Sequence, residues 1–356
     1  MQHLQIRKKT ITFLVPLTSI ILGMLIGAAA MLWTGFNPLE AYKALFAGII
    51  GDPYSVGETI RTVTPLIFTG LAVAFAFRTG LFNIGVEGQF IVGQLAAAWA
   101  GVYFGQFGLP WLVHVPLTIA SGFLAGAIWA GIPGLLKAVS GAHEVITTIM
   151  MNHISLIFAN FIIRDFLRIS TREATADVAP SADLTIGFLQ DFFQGARVHW
   201  GTLIGLALAL AVFILLWKTT AGYELRAVGY NIHAAEYAGI NVKKSIILSM
   251  VISGGIAGVG GAVETMGVFK SMAVSAVFPG VGFDGIAVSL IGNNHPFGII
   301  LGATLLGALK NGSINMAFAA NVPSAVISIV TASIIFFTAA AGLVKWILRI
   351  KPEEGV

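Results

Sequence analysis

The sequence predicts an all-α polytopic membrane protein of about ten transmembrane helices, arranged as two inverted five-helix repeats with interrupted helices. Three observations carry that reading. Of 356 residues, 57% are hydrophobic and 10% charged, with a mean hydropathy of +0.89, too little polar skin for a soluble fold of this size. Apolar runs long enough to cross roughly 30 Å of hydrocarbon recur along the whole chain. Two pairs of segments also read as weak copies: "GLFNIGVEGQF" (80–90) with "GVGFDGIAVSL" (280–290), and "GIPGLLKAVSGAHEVITTIMMN" (131–152) with "GALKNGSINMAFAANVPSAVISIV" (307–330).

Taken in order, Arg7, Lys8 and Lys9 precede a first apolar run over 11–33. That run is too long for a signal peptide and ends on no small-residue cleavage site, so it reads as a retained helix with its basic end in the cytoplasm. Further runs follow at 59–77, 84–104, 111–136, 145–163, 200–217, 245–263, 279–292, 297–316 and 323–345. The 279–292 run is too short to span alone. An even count returns the C-terminus to the cytoplasm, and Arg78, Lys137, Lys218, Arg226, Lys243, Lys244, Lys345, Arg349 and Lys351 then fall at inner helix ends. An outer loop of about 164–199 holds Arg164, Arg168, Arg172 and Arg197, diluted by Asp165, Glu173, Asp177, Asp183 and Asp191.

The whole chain, 1–356, is thus read as one transmembrane domain with repeat halves of about 10–163 and 200–345. The first copy of each repeated segment enters from the side opposite to the second, and folds built this way put a substrate route at the repeat interface, near the midplane. Gly23/Gly27, Gly101/Gly105, Gly122/Gly126, Gly254/Gly258 and Gly298/Gly302 are spaced four apart, placing small residues on single helix faces where backbones can approach closely.

Several function classes are set aside by residues that are missing. Cysteine is absent, which removes thiol chemistry, disulfides and thiolate metal sites. A formal charge of +4 and a pI near 9.3 do not mark a nucleic-acid partner, because the basic residues are scattered over loop ends. His143-Glu144 is followed by Thr147 where a zinc-binding helix needs a second histidine, and no GxSxG occurs. No metal site is expected, and no catalytic residue.

An ionisable group at mid-membrane is costly unless paired or hydrated, which singles out Glu87, Glu144, Glu264 and Asp284. Glu87, supported by Asn83 and Gln89, is either an acceptor for a hydroxylated substrate or an acceptor for backbone donors freed where Gly85 and Gly88 interrupt a helix. Asp284 carries the same two readings at the matching point of the second half, beside Gly280, Gly282 and Gly285. Asn293 follows in "LIGNNHPFG", where Pro296 favours a turn. Glu144 suits a helix start, and Asn152 and His153 lie deeper in the same helix, facing a route or another helix. Met150, Met151, Phe68, Phe75, Phe77, Phe82 and Phe90 read as core or lipid-facing rather than base-stacking. With no Arg or Lys placed at mid-membrane, the lumen suits neutral, hydroxyl-rich cargo.

The most polar inner segment is the loop over about 218–244, "KTTAGYELRAVGYNIHAAEYAGINVKK". Asn231 can cap a short helix, Gly239 can end it left-handed, and Asn241 can cap the next membrane helix. "ELRAVGYNIHAAEYAGINVKK" followed by "SGGIAGVGGAVE" resembles the coupling loop of ABC importer permeases of the branched-chain amino acid, ribose and simple-sugar group. "GLFNIGVEGQF" with "GFDGIAVSLIGNNHPFG" resembles more narrowly the nucleoside and simple-sugar permeases of that group. The three motifs occur in order and the similarity extends over nearly the whole chain.

The resemblance implies a type II-like importer fold and a permease subunit without catalytic machinery. The absence of a GxxxxGK[ST] phosphate loop agrees with a separate ATPase subunit as the user of ATP, with no cofactor bound by this chain. Asn231, Ala234, Ala235, Glu236 and Gly239 would form the part that docks on that ATPase. A second permease subunit, a paralogue, and an extracytoplasmic solute-binding protein are the other implied partners in a bacterial cytoplasmic membrane. The candidate route residues are Asn83, Glu87, Gln89, Asn152, Asp284 and Asn293, and the cargo a nucleoside or, alternatively, a simple sugar. An ion-coupled secondary transporter is the rival reading, though it has no use for a docking helix.

Overall fold

The computed structural model describes residues 2–340 and 342–344, with side chains from Leu17 onward. Arg7, Lys8, Lys9, Lys345, Arg349 and Lys351, which entered the orientation argument, therefore lie outside the described side chains. The chain divides into two compact units, residues 60–307 and a second formed by 1–59 with 308–356.

Fourteen α-helices are described: α1 (Gln2–Trp33), α2 (Pro38–Ile50), α3 (Pro53–Arg78), α4 (Val86–Tyr103), α5 (Trp111–Ser140), α6 (Glu144–Ile162), α7 (Gly187–Phe192), α8 (Gly201–Lys218), α9 (Thr220–Tyr230), α10 (Ile232–Tyr237), α11 (Val242–Glu264), α12 (Val281–Ile291), α13 (Pro296–Ala319) and α14 (Ser324–Ala339). Seven of these segments are long and apolar enough to cross a membrane: Pro53–Arg78, Val86–Phe107, Trp111–Ser140, Glu144–Leu167, Gly201–Lys218, Val242–Phe269 and Pro296–Ala319. Three more apolar helices are shorter, Leu17–Trp33, Val281–Ile291 and Ser324–Ala339. The chain is a multi-pass helical membrane protein.

Several elements depart from the all-α expectation, namely α2, α9, and the hairpin and α7 inside the 164–199 loop. α2 was not anticipated: Asn37 caps it, its side chain accepting from the Leu39 N–H at 3.0 Å, and Pro38 opens it. The segment 218–244 holds two helices rather than one, because Thr219 also caps, accepting from the Gly222 N–H at 3.1 Å and starting α9. The remaining punctuation is as the sequence implied. Asn231 accepts from Ala234 N–H at 3.0 Å, Gly239 takes φ 82°, and Asn241 accepts from Lys244 N–H at 3.0 Å.

The 60–307 unit is built on a glycine contact. On α5, Gly122 and Gly126 face Gly258 and Gly254 of α11, while Gly93 of α4 also abuts Gly258; a Cβ at any of them would overlap the facing backbone. Only hydrogen at these positions lets the three backbones meet, which is how membrane helices gain dispersion contact where lipid offers no hydrophobic drive. Beside this contact Phe68 and Phe90 are buried, as is Phe75 farther along α3, whereas Phe77 and Phe82 stack on each other at 5.0 Å.

Arg78, Lys137, Lys243 and Lys244 belong to one end of this unit, where Ala76, Ala138 and Ile246 pack in one cluster. At the opposite end the 163–200 segment forms a hairpin, β1 (Arg168–Ile169) with β2 (Arg172–Thr175), antiparallel. Its charges neutralise one another: Arg168 pairs with Glu173 at 2.7 Å, Arg164 with the same carboxylate at 3.6 Å, and Arg172 with Asp177. Trp99, Tyr103 and Trp111 gather there as an interfacial belt, Trp99 and Tyr103 stacking at 5.1 Å.

In the other unit, Gly23 and Gly27 of α1 receive Ile334 and Val330 of α14. Asn311 donates to the Gly48 and Ser55 carbonyls at 2.9 and 3.1 Å, and Asn315 to Ala44 O at 2.7 Å, tying the end of α13 to α2. Two cations bear on the expectation of none at mid-membrane. Lys310 lies fourteen residues into α13, about 21 Å at 1.5 Å per residue, and Arg61 lies within α3.

Candidate functional site

Between α3 and α4 the chain does not continue as helix. Residues 79–85 are a turn and an extended stretch, because Gly80 takes φ 76° and Asn83 supplies a side-chain acceptor that competes with helical hydrogen bonds. Asn83 Oδ1 accepts from Gly85 N–H at 3.0 Å, and its amide donates to Gln89 Oε1 at 3.0 Å and Ser253 Oγ at 2.8 Å. Ser253 donates onward to Ala72 O at 2.6 Å. From α6, Asn152 accepts from Gly88 N–H at 2.8 Å and donates to Ile84 O at 3.0 Å. Asn152 lies eight residues beyond Glu144, which pairs with Lys137 at 2.8 Å at the basic end, so the start of α4 lies about 12 Å into the unit.

The second break meets the first there. α11 widens into a π turn over Thr265–Phe269, Lys270 takes φ 62°, and residues 270–280 run back without helix until α12 begins. Glu87, in the first turn of α4, accepts from Gly280 N–H at 2.6 Å and from Gly282 N–H at 2.5 Å. A Cβ on Gly282 would overlap the Glu87 backbone, so the two helix N-termini touch. The far end of α12 is held by Arg78, which donates to the carbonyls of Asn294 at 2.8 Å and Asn293 at 3.1 Å. α12 therefore covers about 16 Å, half a hydrocarbon core, between that depth and the basic end.

The structure thus gathers Asn83, Glu87, Gln89 and Asn152 into one buried network whose bonds are internal to the fold. Asp284, in the first turn of α12, is half-buried beside it. Asn293 stands apart, exposed in a left-handed turn at φ 52°. Sequence reasoning missed Asn160, whose amide donates to Ser275 O at 2.7 Å and accepts from Ser275 N–H at 3.1 Å, pinning the 270–280 segment. Its position eight residues after Asn152, on the same face of α6, was the available signal.

A further polar group lies toward the hairpin end. Lys270 pairs with Asp183 and donates to Thr185 Oγ1 at 2.6 Å. Burial raises the Asp183 carboxyl, but hydrogen bonds from Lys270 and Thr185 outweigh it and leave the group below its usual range. His199, 1% exposed, is pushed down to about 4, first by burial and then by the Lys270 and Arg61 cations.

At the basic end, α9 packs on the α3–α4 corner: a Cβ on Gly229 would overlap Arg78 O and approach Gly80 N. Trp217 receives Arg78 on its ring at 5.1 Å and Arg226 at 5.8 Å. Beyond this contact α9 and α10 are open, with Tyr223 63%, Tyr230 84% and Tyr237 96% exposed and Ile232 half-exposed. Of the residues expected to dock, Asn231, Ala234, Glu236 and Gly239 are exposed, whereas Ala235 is buried against the unit.

Residues 55–340 match the family described as branched-chain amino acid transport system, permease component. The chain belongs to that family. The guanosine ABC transporter permease protein NupP of Bacillus subtilis is 48% identical to this permease over 98% of the chain and 99% of its own length. The nucleoside ABC transporter permease protein NupB of Lactococcus lactis is 38% identical over 96% of the chain and 93% of its length. The glucose ABC transporter permease protein TsgB13 of Haloferax volcanii is 29% identical over 90% and 86%. The permease is a membrane transport subunit.

Proposed function

We propose that this permease is a membrane half of an ATP-driven importer that carries nucleosides across a bacterial cytoplasmic membrane by alternating access, with both termini cytoplasmic. A separate ATPase subunit uses the ATP and docks on α9–α10. The observation that carries the reading is that open face: tyrosines crowded on two short helices at the basic end are unusual on a solvated surface and typical of interface anchors. Lys137, Lys218, Arg226, Lys243 and Lys244 around it support a cytoplasmic placement of this end. The two strongest of the three relatives above are named for guanosine and nucleosides, which supports the cargo class.

The ten apolar helices, with α12 too short to cross alone, support the reading of two inverted five-helix repeats. α4 runs away from the basic end and α12 toward it, so the paired motifs start two helices head to head, with opposite directions, as inversion requires. Glu87 and its network then serve as the hinge seat of the route rather than its lining, and Asp284 is the intramembrane carboxylate placed to face cargo. With Arg61 and Lys310 inside spans, neutral cargo rests on the relatives, not on an absence of cations. A second permease, a paralogue in this reading, and an extracytoplasmic solute-binding protein complete the importer.

The test is uptake of labelled guanosine, uridine, ribose and glucose by the reconstituted complex, with and without ATP. ATP-dependent nucleoside uptake is expected. Uptake of the sugars alone would favour the glucose relative's cargo, and uptake that ignores ATP but collapses with a proton or sodium gradient would sink the importer reading.

A further inference from the structure

The face that α6 and the second break turn outward holds groups that lipid does not accommodate. His153 is exposed nine residues into α6, about 14 Å from its basic end, and Asp284 is half-buried at the start of α12. Ionisable groups exposed at that depth face a water-filled path or another chain. Two aromatic side chains stand with them. The His153 ring meets Phe278 edge to face at 5.2 Å, and Phe278 meets Phe283 likewise at 5.8 Å and 88°. Phe283 is 40% exposed, and Asp284 is its neighbour in the chain.

The backbone that carries the two phenylalanines is held from behind. Asn160 holds Ser275, three residues before Phe278, and Glu87 holds Gly280 and Gly282, flanking the backbone that leads to Phe283. The two phenylalanine rings therefore rise from anchored backbone at the second break and the start of α12, beside His153 of α6. Aromatic rings offer stacking to any base, because every base has a π face, while a carboxylate has acceptor sites enough to serve a hydroxyl beside an existing partner. A free sugar has no π face and can offer such rings only its C–H groups.

We propose that His153, Phe278, Phe283 and Asp284 form a specificity site on the route, the rings stacking on the base and Asp284 accepting from the ribose. The inference rests on the nucleoside-importer reading and adds where, and by which side chains, nucleosides are preferred over sugars.

The test uses the full complex in proteoliposomes and compares wild type with Phe283→Leu and Phe283→Tyr. Phe283→Leu should lower ATP-dependent uptake of sub-saturating guanosine and uridine about tenfold, equivalent to about 1.4 kcal/mol, and Phe283→Tyr, which keeps a ring, should restore most of it. Co-purification of the ATPase and second permease should be the same for all three. Nucleoside uptake by Phe283→Leu at the wild-type rate overturns the proposal, as does equal loss in the Tyr variant. Loss of the second permease from Phe283→Leu also overturns it, since the rings would then be a subunit contact. A wild-type complex that carries no nucleoside overturns the importer reading itself, whatever the variants do.

Discussion

Glu87 and Gly282 join the two interrupted helices: the carboxylate in the first turn of α4 accepts the Gly282 N–H at 2.5 Å while its other oxygen takes Gly280 N–H at 2.6 Å. A helix that begins inside a membrane leaves its first N–H groups without water, and the carboxylate meets both the donors and the positive end of the dipole. Each half of the sequence repeat thus supplies what the other needs.

Glu87→Gln removes one acceptor and places an NH2 against a backbone N–H in a site with no exposure. Hydrogen bonds to charged groups are worth about 1.5–3 kcal/mol, so a loss of about 2 kcal/mol is expected. It should appear as a lower melting temperature and a reduced yield of assembled complex. A variant that assembles and melts as wild type but transports differently would place Glu87 on the route instead.

The contact of α5, α11 and α4 through Gly122, Gly126, Gly254, Gly258 and Gly93 predicts a steep size limit. Gly258→Ala should destabilise markedly and Gly258→Leu should abolish accumulation of folded permease, because the added atoms meet backbone rather than a side chain that could move. Quantifying monodisperse protein after detergent extraction checks this. Normal yield for Gly258→Leu would refute the contact.

Small-residue spacing and cap chemistry were legible because both are local: Gly122/Gly126, Gly254/Gly258, Asn231, Gly239 and Asn241 take the roles their neighbours in sequence imply. The motif "GLFNIGVEGQF" was also visibly a break, but the partners that seat its polar groups, Asn152, Ser253 and Gly282, lie far away in the chain. Tertiary capping of that kind leaves no periodic trace. α9 and α2 were passed over because their amphipathic composition reads as loop beside the spans, although Thr219 and Asn37 carry cap chemistry. Ala235 reads as part of a docking surface in a one-dimensional view, yet every neighbour from Asn231 to Gly239 is exposed and it alone faces inward.

That inversion of Ala235 gives the docking proposal an internal control. Tyr237→Ala truncates a side chain that is 96% exposed, so it should leave the permease intact and weaken ATPase association at least tenfold if the ring is an anchor. Ala235→Trp should instead damage the packing of α10 and lower permease yield even without the ATPase present. Affinity capture of the ATPase by purified permease, scored against permease yield, separates the two. Tyr237→Ala with wild-type capture would remove α10 from the interface.

His199 predicts an acid-sensitive hairpin end. Its Nδ1 accepts from Gly201 N–H at 3.1 Å, so the neutral ring carries its proton on Nε2, which has no partner among the described residues. Burial, then the Lys270 and Arg61 cations, hold its pKa down to about 4 from 6.5, with Asp183 opposing. Above pH 6.5 the ring is neutral folded or unfolded and the difference contributes nothing. As pH falls from about 6.5 to about 4 the unfolded chain takes up a proton that the folded chain refuses, and stability is lost at up to 1.4 kcal/mol per unit, about 3 kcal/mol in all. Asp183, depressed from 3.8, loses its contribution only at still lower pH. The melting temperature of the purified complex should therefore drop between pH 7 and 4.5, and His199→Gln, which cannot titrate, should flatten that drop. Parallel curves for the two proteins would show that the acid sensitivity arises elsewhere.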